Sequence, residues 1–79
     1  MEKYYALDYV CGELGECELV YNDQLYATEE EAEQARAAMS RPELFDVTWY
    51  GIKDLEEVYN TEVRVVRVNN ELKVCYVEW

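Results

Sequence analysis

Two valine-rich runs, Glu62 to Val68 and Glu71 to Glu78, are separated by Asn69 and Asn70 alone. Asparagine tolerates the positive φ of a primed two-residue turn, whose twist matches that of paired strands, so this stretch reads as a β-hairpin. The short loop fixes the register: Val68 opposite Glu71, Val65 opposite Val74 and Val63 opposite Tyr76. Val63, Val65, Leu72, Val74 and Tyr76 then share one apolar face that should cover a core. The other face carries Arg64, Val66, Lys73, Cys75 and Val77, with Trp79 near its end. No other segment restricts the topology so narrowly.

The rest of the chain supplies partners for that hairpin. Over Lys3 to Val10 the period of two puts Tyr5, Leu7 and Tyr9 on one face and Tyr4, Ala6 and Asp8 on the other, a strand that Gly12 to Gly15 breaks. A second strand is expected at Cys17 to Tyr21, and Asn22-Asp23-Gln24 turns into a short extended piece at Leu25 and Tyr26, giving an N-terminal hairpin. Thr28 followed by Glu31 is a capping box, so a helix starts there. Its stripe of Ala32, Ala35, Arg36 and Met39 is narrow and alanine-rich, which lets it lie close to a sheet. Pro42 ends it at about Met39 to Arg41, since proline lacks the N–H and biases its predecessor to extended geometry.

Phe45, Val47 and Trp49 alternate within Leu44 to Tyr50, which reads as a strand, and Leu55, Val58 and Tyr59 place a short helix over Asp54 to Tyr59. The sequence predicts an α+β domain spanning residues 1–79, a two-layer sandwich of an antiparallel sheet of four to five strands with one main helix packed on one face. No repeat or low-complexity linker divides it.

Composition fits a single folded unit. A chain of 79 residues has room for one core, and its 51% apolar fraction with eight tyrosines, two tryptophans and one phenylalanine is too rich for an acidic disordered tail. No apolar run reaches the length of a membrane span, and Met1 to Tyr5 lacks the basic and apolar regions of a signal peptide, so a cytoplasmic location is expected. Cys11, Cys17 and Cys75 have no Cys-x-x-Cys spacing and read as structural thiols of a reducing compartment. The alternative is a disulfide between Cys11 and Cys17 across a turn through Gly12 and Gly15.

Chemistry-bearing patterns are missing. The chain has no histidine, which removes the usual general base, metal ligand and triad base. Ser40 lacks a nucleophile-elbow context and reads as a helix-end hydrogen-bonding group. Gly12, Gly15 and Gly51 form neither a phosphate loop nor a dinucleotide fingerprint. Carboxylate pairs such as Glu13 and Glu16, Glu29 and Glu33, or Asp54 and Glu57 follow from an acidic composition, and no calcium-loop motif occurs. The expectation is a non-enzymatic protein with no cofactor, metal or catalytic residue.

Eighteen acidic against seven basic residues leave a net charge of −11. The acids concentrate at Glu13, Glu16 and Glu18 around the first hairpin and at Glu29, Glu30, Glu31 and Glu33 on the first helix, with Asp54, Glu56 and Glu57 as a third group. Carboxylates three and four apart on a helix lie about 5–6 Å apart at Cβ, comparable in scale with phosphates along a nucleic-acid strand. Such a surface imitates a polyanion and repels nucleic acid, so the expected partner is the basic surface of a nucleic-acid-binding protein. About half of the aromatic residues read as core; the remainder sit partly exposed beside the carboxylates, either as tyrosines that merely cap a small core with their hydroxyls in water or as interface anchors. The candidate partner-binding set is Glu13, Glu16, Glu18, Glu29, Glu30, Glu33, Tyr26 and Trp79. A homodimer through Val66, Cys75, Val77 and Trp79 is the alternative.

In size, charge and the Glu29, Glu30, Glu31, Glu33 cluster the chain resembles the small inhibitors encoded by phages and other mobile elements, including anti-CRISPR proteins and DNA mimics. Those proteins share no sequence motif, so the resemblance carries over no residue roles. It implies stoichiometric binding to the basic groove of a host nuclease or surveillance complex, which blocks entry of nucleic acid by occupation and charge.

Overall fold

A computed structural model describes residues 3–10 and 17–76. In chain order these form strand β1 (Tyr4–Tyr9), a 3-10 turn (Tyr21–Asp23), β2 (Gln24–Leu25), helix α1 (Glu29–Ala37), a second 3-10 turn (Pro42–Leu44), β3 (Phe45–Tyr50), α2 (Ile52–Tyr59), β4 (Val63–Val68) and β5 (Glu71–Tyr76).

The C-terminal hairpin has the register its turn dictates: Val68 pairs with Glu71, Val65 with Val74 and Val63 with Tyr76. Asn69 and Asn70 take φ of 51° and 67°, the left-handed values a primed turn requires. Val63 and Val74 are buried on the inward face, with Val65 and Leu72 packed beside them. Tyr76, at the end of that face, is 39% exposed and stacks on Tyr59 with ring centroids 5.1 Å apart.

The single sheet expected from the sequence is replaced by two antiparallel sheets, one of β1 and β3 and one in the order β2-β5-β4. One pair of backbone bonds crosses between them: Tyr5 N–H donates to Tyr26 O at 2.9 Å and Tyr26 N–H to Tyr5 O at 2.7 Å. The one main helix is likewise replaced by two of nearly equal length, nine residues in α1 and eight in α2. The physical reason is the composition of β1, which is apolar on both faces. Ala6 joins a cluster with Val20, Leu25, Tyr50, Leu55, Val63 and Val74, while Leu7 joins Ala32 and Phe45 on the other side. Each face needs a cover; α2 supplies one through Leu55 and α1 the other through Ala32, both fully buried.

The strand expected at Cys17 to Tyr21 does not form. Glu18 makes an isolated bridge to Tyr9, and then Val20, Asn22 and Asp23 all have positive φ, which turns the chain sharply. A β-branched residue rarely adopts φ of 52°; Val20 is held there by burial and by its N–H, which donates to Asp8 Oδ1 at 3.0 Å instead of to a neighbouring strand.

Both helices start where their caps lie. The Thr28 hydroxyl accepts from Glu31 N–H at 3.1 Å, and Glu31 Oε2 accepts from Ala27 N–H at 3.2 Å, one residue before the cap. Helix α1 stops at Ala37, slightly before the expected end, and Pro42 opens the following 3-10 turn, where its missing N–H is harmless. Helix α2 begins two residues earlier than expected because Asp54 Oδ2 accepts from Gly51 N–H at 2.9 Å, and it ends at Asn60 in the left-handed conformation.

Cys17 is disulfide-bonded, whereas Cys75 is a free, exposed thiol. This corrects the reading of three free thiols. The pairing of Cys17 with Cys11 considered from the sequence falls on a residue outside those described.

Candidate protein-binding surface

The acidic helix is positioned by its alanines. Ala32 and Ala35 are small enough to bring α1 close to the β1–β3 sheet, and Arg36 fixes it there by donating from Nε to the Phe45 carbonyl at 2.6 Å. With that stripe turned inward, Glu29, Glu30, Glu31 and Glu33 are left exposed along the first two turns. Three of them occupy the first turn, where the unpaired amides and the helix dipole favour negative charge, so the cluster is compatible with a stable helix.

Little on the protein neutralises these groups. Among the described residues the ion pairs within 4.0 Å are Arg41 with Glu43 at 3.3 Å and Lys73 with Glu71 at 3.9 Å, both between near neighbours. Arg64, Arg67 and Lys73 lie on the β4–β5 hairpin; Arg67 lines one cleft with Glu31 without forming an ion pair to it within 4.0 Å.

Of the residues singled out in the sequence, Glu29, Glu30 and Glu33 are brought together on α1. Glu18 is exposed and stands apart, its backbone paired with Tyr9 in the β1 bridge. Tyr26 is half-buried against the cluster of Leu7, Ala32 and Phe45, beside a cleft lined also by Glu31, Gln34, Arg67 and Glu71. Burial first and the Glu71 carboxylate second push the Tyr26 phenol above its ordinary range. Glu13, Glu16 and Trp79 lie outside the described residues.

A second surface adjoins the third acidic group, Asp54, Glu56 and Glu57, and its apolar part was not singled out from the sequence. Trp49 and Leu19 are 51% and 48% exposed, and both line a shallow groove with Tyr50, Asp54, Glu57 and Val58. Asp54, Glu57 and Val58 stand at i, i+3 and i+4, one face of α2, which sets two carboxylates beside an apolar wall. The Lys3 ammonium lies 4.7 Å from the Trp49 ring centroid, within cation–π range. Phe45, Val47 and Trp49 share one face of β3 by the strand period. Phe45 and Val47 are covered by the α1 side of the core, but Trp49 lies towards the other end of β3 from the Phe45 carbonyl that holds α1. Nothing in the sequence marked Leu19, because its exposure follows from the sharp turn at Val20.

Among the described residues no group of three or more aspartate, glutamate, cysteine or histidine side chains is arranged to hold a metal ion, and no helix is long and apolar enough to cross a membrane. Comparison with family models, with curated proteins and with solved structures gives no match.

Proposed function

We propose that this chain is a non-enzymatic acidic binding protein that inhibits a nucleic-acid-binding host protein, of the CRISPR-effector or nuclease kind, by occupying its basic nucleic-acid site in the cytoplasm. The observation that supports this reading is the exposure of Glu29, Glu30, Glu31 and Glu33 on one short helix with no ion pair to them among the described residues. Unpaired carboxylates keep their field in solution, steer a basic partner to the surface and release counterions when they meet it. The inhibition needs no covalent chemistry, because competition follows from occupancy alone.

The test is displacement. Purified CRISPR effectors and nucleases are loaded with a fluorescent oligonucleotide and titrated with this protein while anisotropy is read. Release at near-stoichiometric concentrations, weakening steeply with salt, is the expected result. Absence of release across the panel, or release indifferent to salt, overturns the reading.

A second reading, a homodimer, is supported by the outward face of the β4–β5 hairpin, where Val66 and Val68 are exposed on the edge strand β4 and Cys75 is exposed beside them on β5. Val77 and Trp79, which complete that face in the sequence, lie outside the described residues. Sedimentation velocity decides it: a single monomeric species at high concentration removes the dimer.

A further inference from the structure

We infer that the groove between Leu19, Trp49 and α2 is a docking site for an extended basic segment of a protein partner, one in which an arginine or lysine alternates with an aliphatic or aromatic residue. This deepens the proposed binding function by naming a second contact beside α1 and the sequence chemistry it selects.

Two properties of the groove carry the inference. The first is apolar exposure: among the described residues Trp49, Val68 and Leu19 are the most exposed large hydrophobic side chains, and Trp49 and Leu19 line one groove. Tryptophan is the side chain most enriched among residues that dominate binding energy, and leaving it half in water costs solvation that a partner would relieve. The second is charge complementarity. Asp54 and Glu57 rim the same groove on one face of α2, with Val58 beside them, so apolar wall and carboxylates are presented together. Asp54 already accepts the Gly51 N–H through Oδ2, but a purely apolar segment would desolvate the charge of Glu57 and what remains of that of Asp54 uncompensated, which is unfavourable; a cationic neighbour offsets it.

Lys3 gives the cation preference a precedent within the chain. Its ammonium sits against the Trp49 ring, 4.7 Å from the centroid, and 6.0 Å from that of Tyr5. This edge of the molecule thus already seats one cation on an aromatic surface. In an extended partner strand, residues i and i+2 point to the same side and i+1 to the other, so a segment of alternating type that runs between the two walls lays its apolar side chains along Leu19 and Trp49 and turns its cationic ones to the carboxylates of α2.

The experiment uses the whole chain, labelled with 15N, and three capped hexapeptides: alternating arginine and leucine, alternating arginine and serine, and alternating serine and leucine. Saturable shifts of the Leu19 and Val58 amides and the Trp49 indole N–H with the arginine–leucine peptide are the expected result. Leu19→Ser and Glu57→Lys should each weaken that binding at least about fivefold, the scale of an interface contact that matters. Both positions are exposed, and an unchanged far-shifted spectrum elsewhere verifies that each variant is folded.

Equal binding of the arginine–serine peptide shows that charge alone is read, which overturns the groove while leaving the acidic-surface function standing. Equal binding of the serine–leucine peptide removes the cation requirement and overturns the inference. Shifts confined to α1, or no binding of any peptide, also overturn it. Concentration-dependent shifts of the same residues without peptide, abolished by Leu19→Ser, identify a second copy of the chain as the occupant and overturn it as well. The oligonucleotide displacement assay on the Leu19→Ser protein separates the two claims: retained inhibition leaves the proposed function intact after loss of the groove, whereas a groove that binds peptide in a protein that never displaces nucleic acid defeats the function alone.

Discussion

Tyr50 reaches across 42 residues of sequence to set its hydroxyl 2.8 and 2.9 Å from the two carboxylate oxygens of Asp8. The Val20 N–H meets the same carboxylate at 3.0 Å, so one buried acid ties β1, β3 and the turn before β2. Tyr50→Phe removes one of its donors from a buried site and should cost about 1–3 kcal/mol in urea unfolding. A cycle with Asp8→Ala should give a coupling of about 0.5–3 kcal/mol; strict additivity would mean that the two side chains act independently.

Alkaline pH should unfold the protein cooperatively. The Tyr50 phenol is pushed above the ordinary tyrosine range by burial and then by Asp8, and the Tyr59 phenol by burial and then by Asp23, to which it donates at 2.7 Å. The folded state therefore holds these protons more tightly than the unfolded chain. That contribution to stability is fully present below the unfolded tyrosine pKa of about 10 and is lost as pH rises through it towards the folded values. Tyrosinate absorbance of a subset of tyrosines should rise only as circular dichroism is lost, and Tyr50→Phe with Tyr59→Phe should flatten the dependence. Ionisation of all tyrosines before any loss of dichroism contradicts the assignment.

Thr28 caps α1 with its hydroxyl at 3.1 Å from Glu31 N. Thr28→Ala should lower stability by about 1 kcal/mol, since a first-turn amide loses its acceptor. Leu55→Ala, by comparison, empties a fully buried site under α2 and should cost about 2–5 kcal/mol. A denaturation series that ranks the two in the reverse order would show that the α2 side of the core is loosely packed.

Thiol labelling of the native, unreduced protein should modify Cys75 and spare Cys17. Mass spectrometry after digestion reads this directly. Labelling of Cys17 before reduction rules out the disulfide and returns the chain to the thiol reading made from its sequence.

Reversing charge on α1 should separate binding from folding. Glu30→Lys with Glu33→Lys alters exposed side chains that have no ion-pair partner among the described residues, so stability should change by no more than about 0.5 kcal/mol at Glu33 and fall by about 0.3–1 kcal/mol at Glu30, whose charge the first turn favours. Association with a displaced target should slow about tenfold at low salt and converge with the parent at high salt. Equal rates at both salts would place the acidic helix outside the interface.

Local chemistry made the C-terminal hairpin, the Thr28 cap and the α1 carboxylates readable from the sequence. The Asn69–Asn70 turn carries its own register, and a capping box satisfies its own amides, so neither needs tertiary context. The division into two sheets was not readable, because it depends on β1 being covered on both faces by segments distant in sequence, Leu55 on one side and Ala32 on the other. The alternation of Tyr5, Leu7 and Tyr9 against Tyr4, Ala6 and Asp8 was right, yet it does not say that both sides are interior. Leu19 escaped for a related reason: a hydrogen bond from Val20 to Asp8, twelve residues away, overrode the strand tendency of its segment.

Strand β4 lies at the end of its sheet and pairs with β5 alone among the described residues. An open edge rich in valine invites a further strand from another molecule, the first step of ordered aggregation. Arg64 and Arg67 interrupt the valines along it, and two molecules that each carry −11 repel one another before the edges can meet. That repulsion vanishes near pH 4.2, where the chain is isoelectric, and is shortened by salt. The excess of carboxylates is therefore also a colloidal barrier, one that acidification lowers.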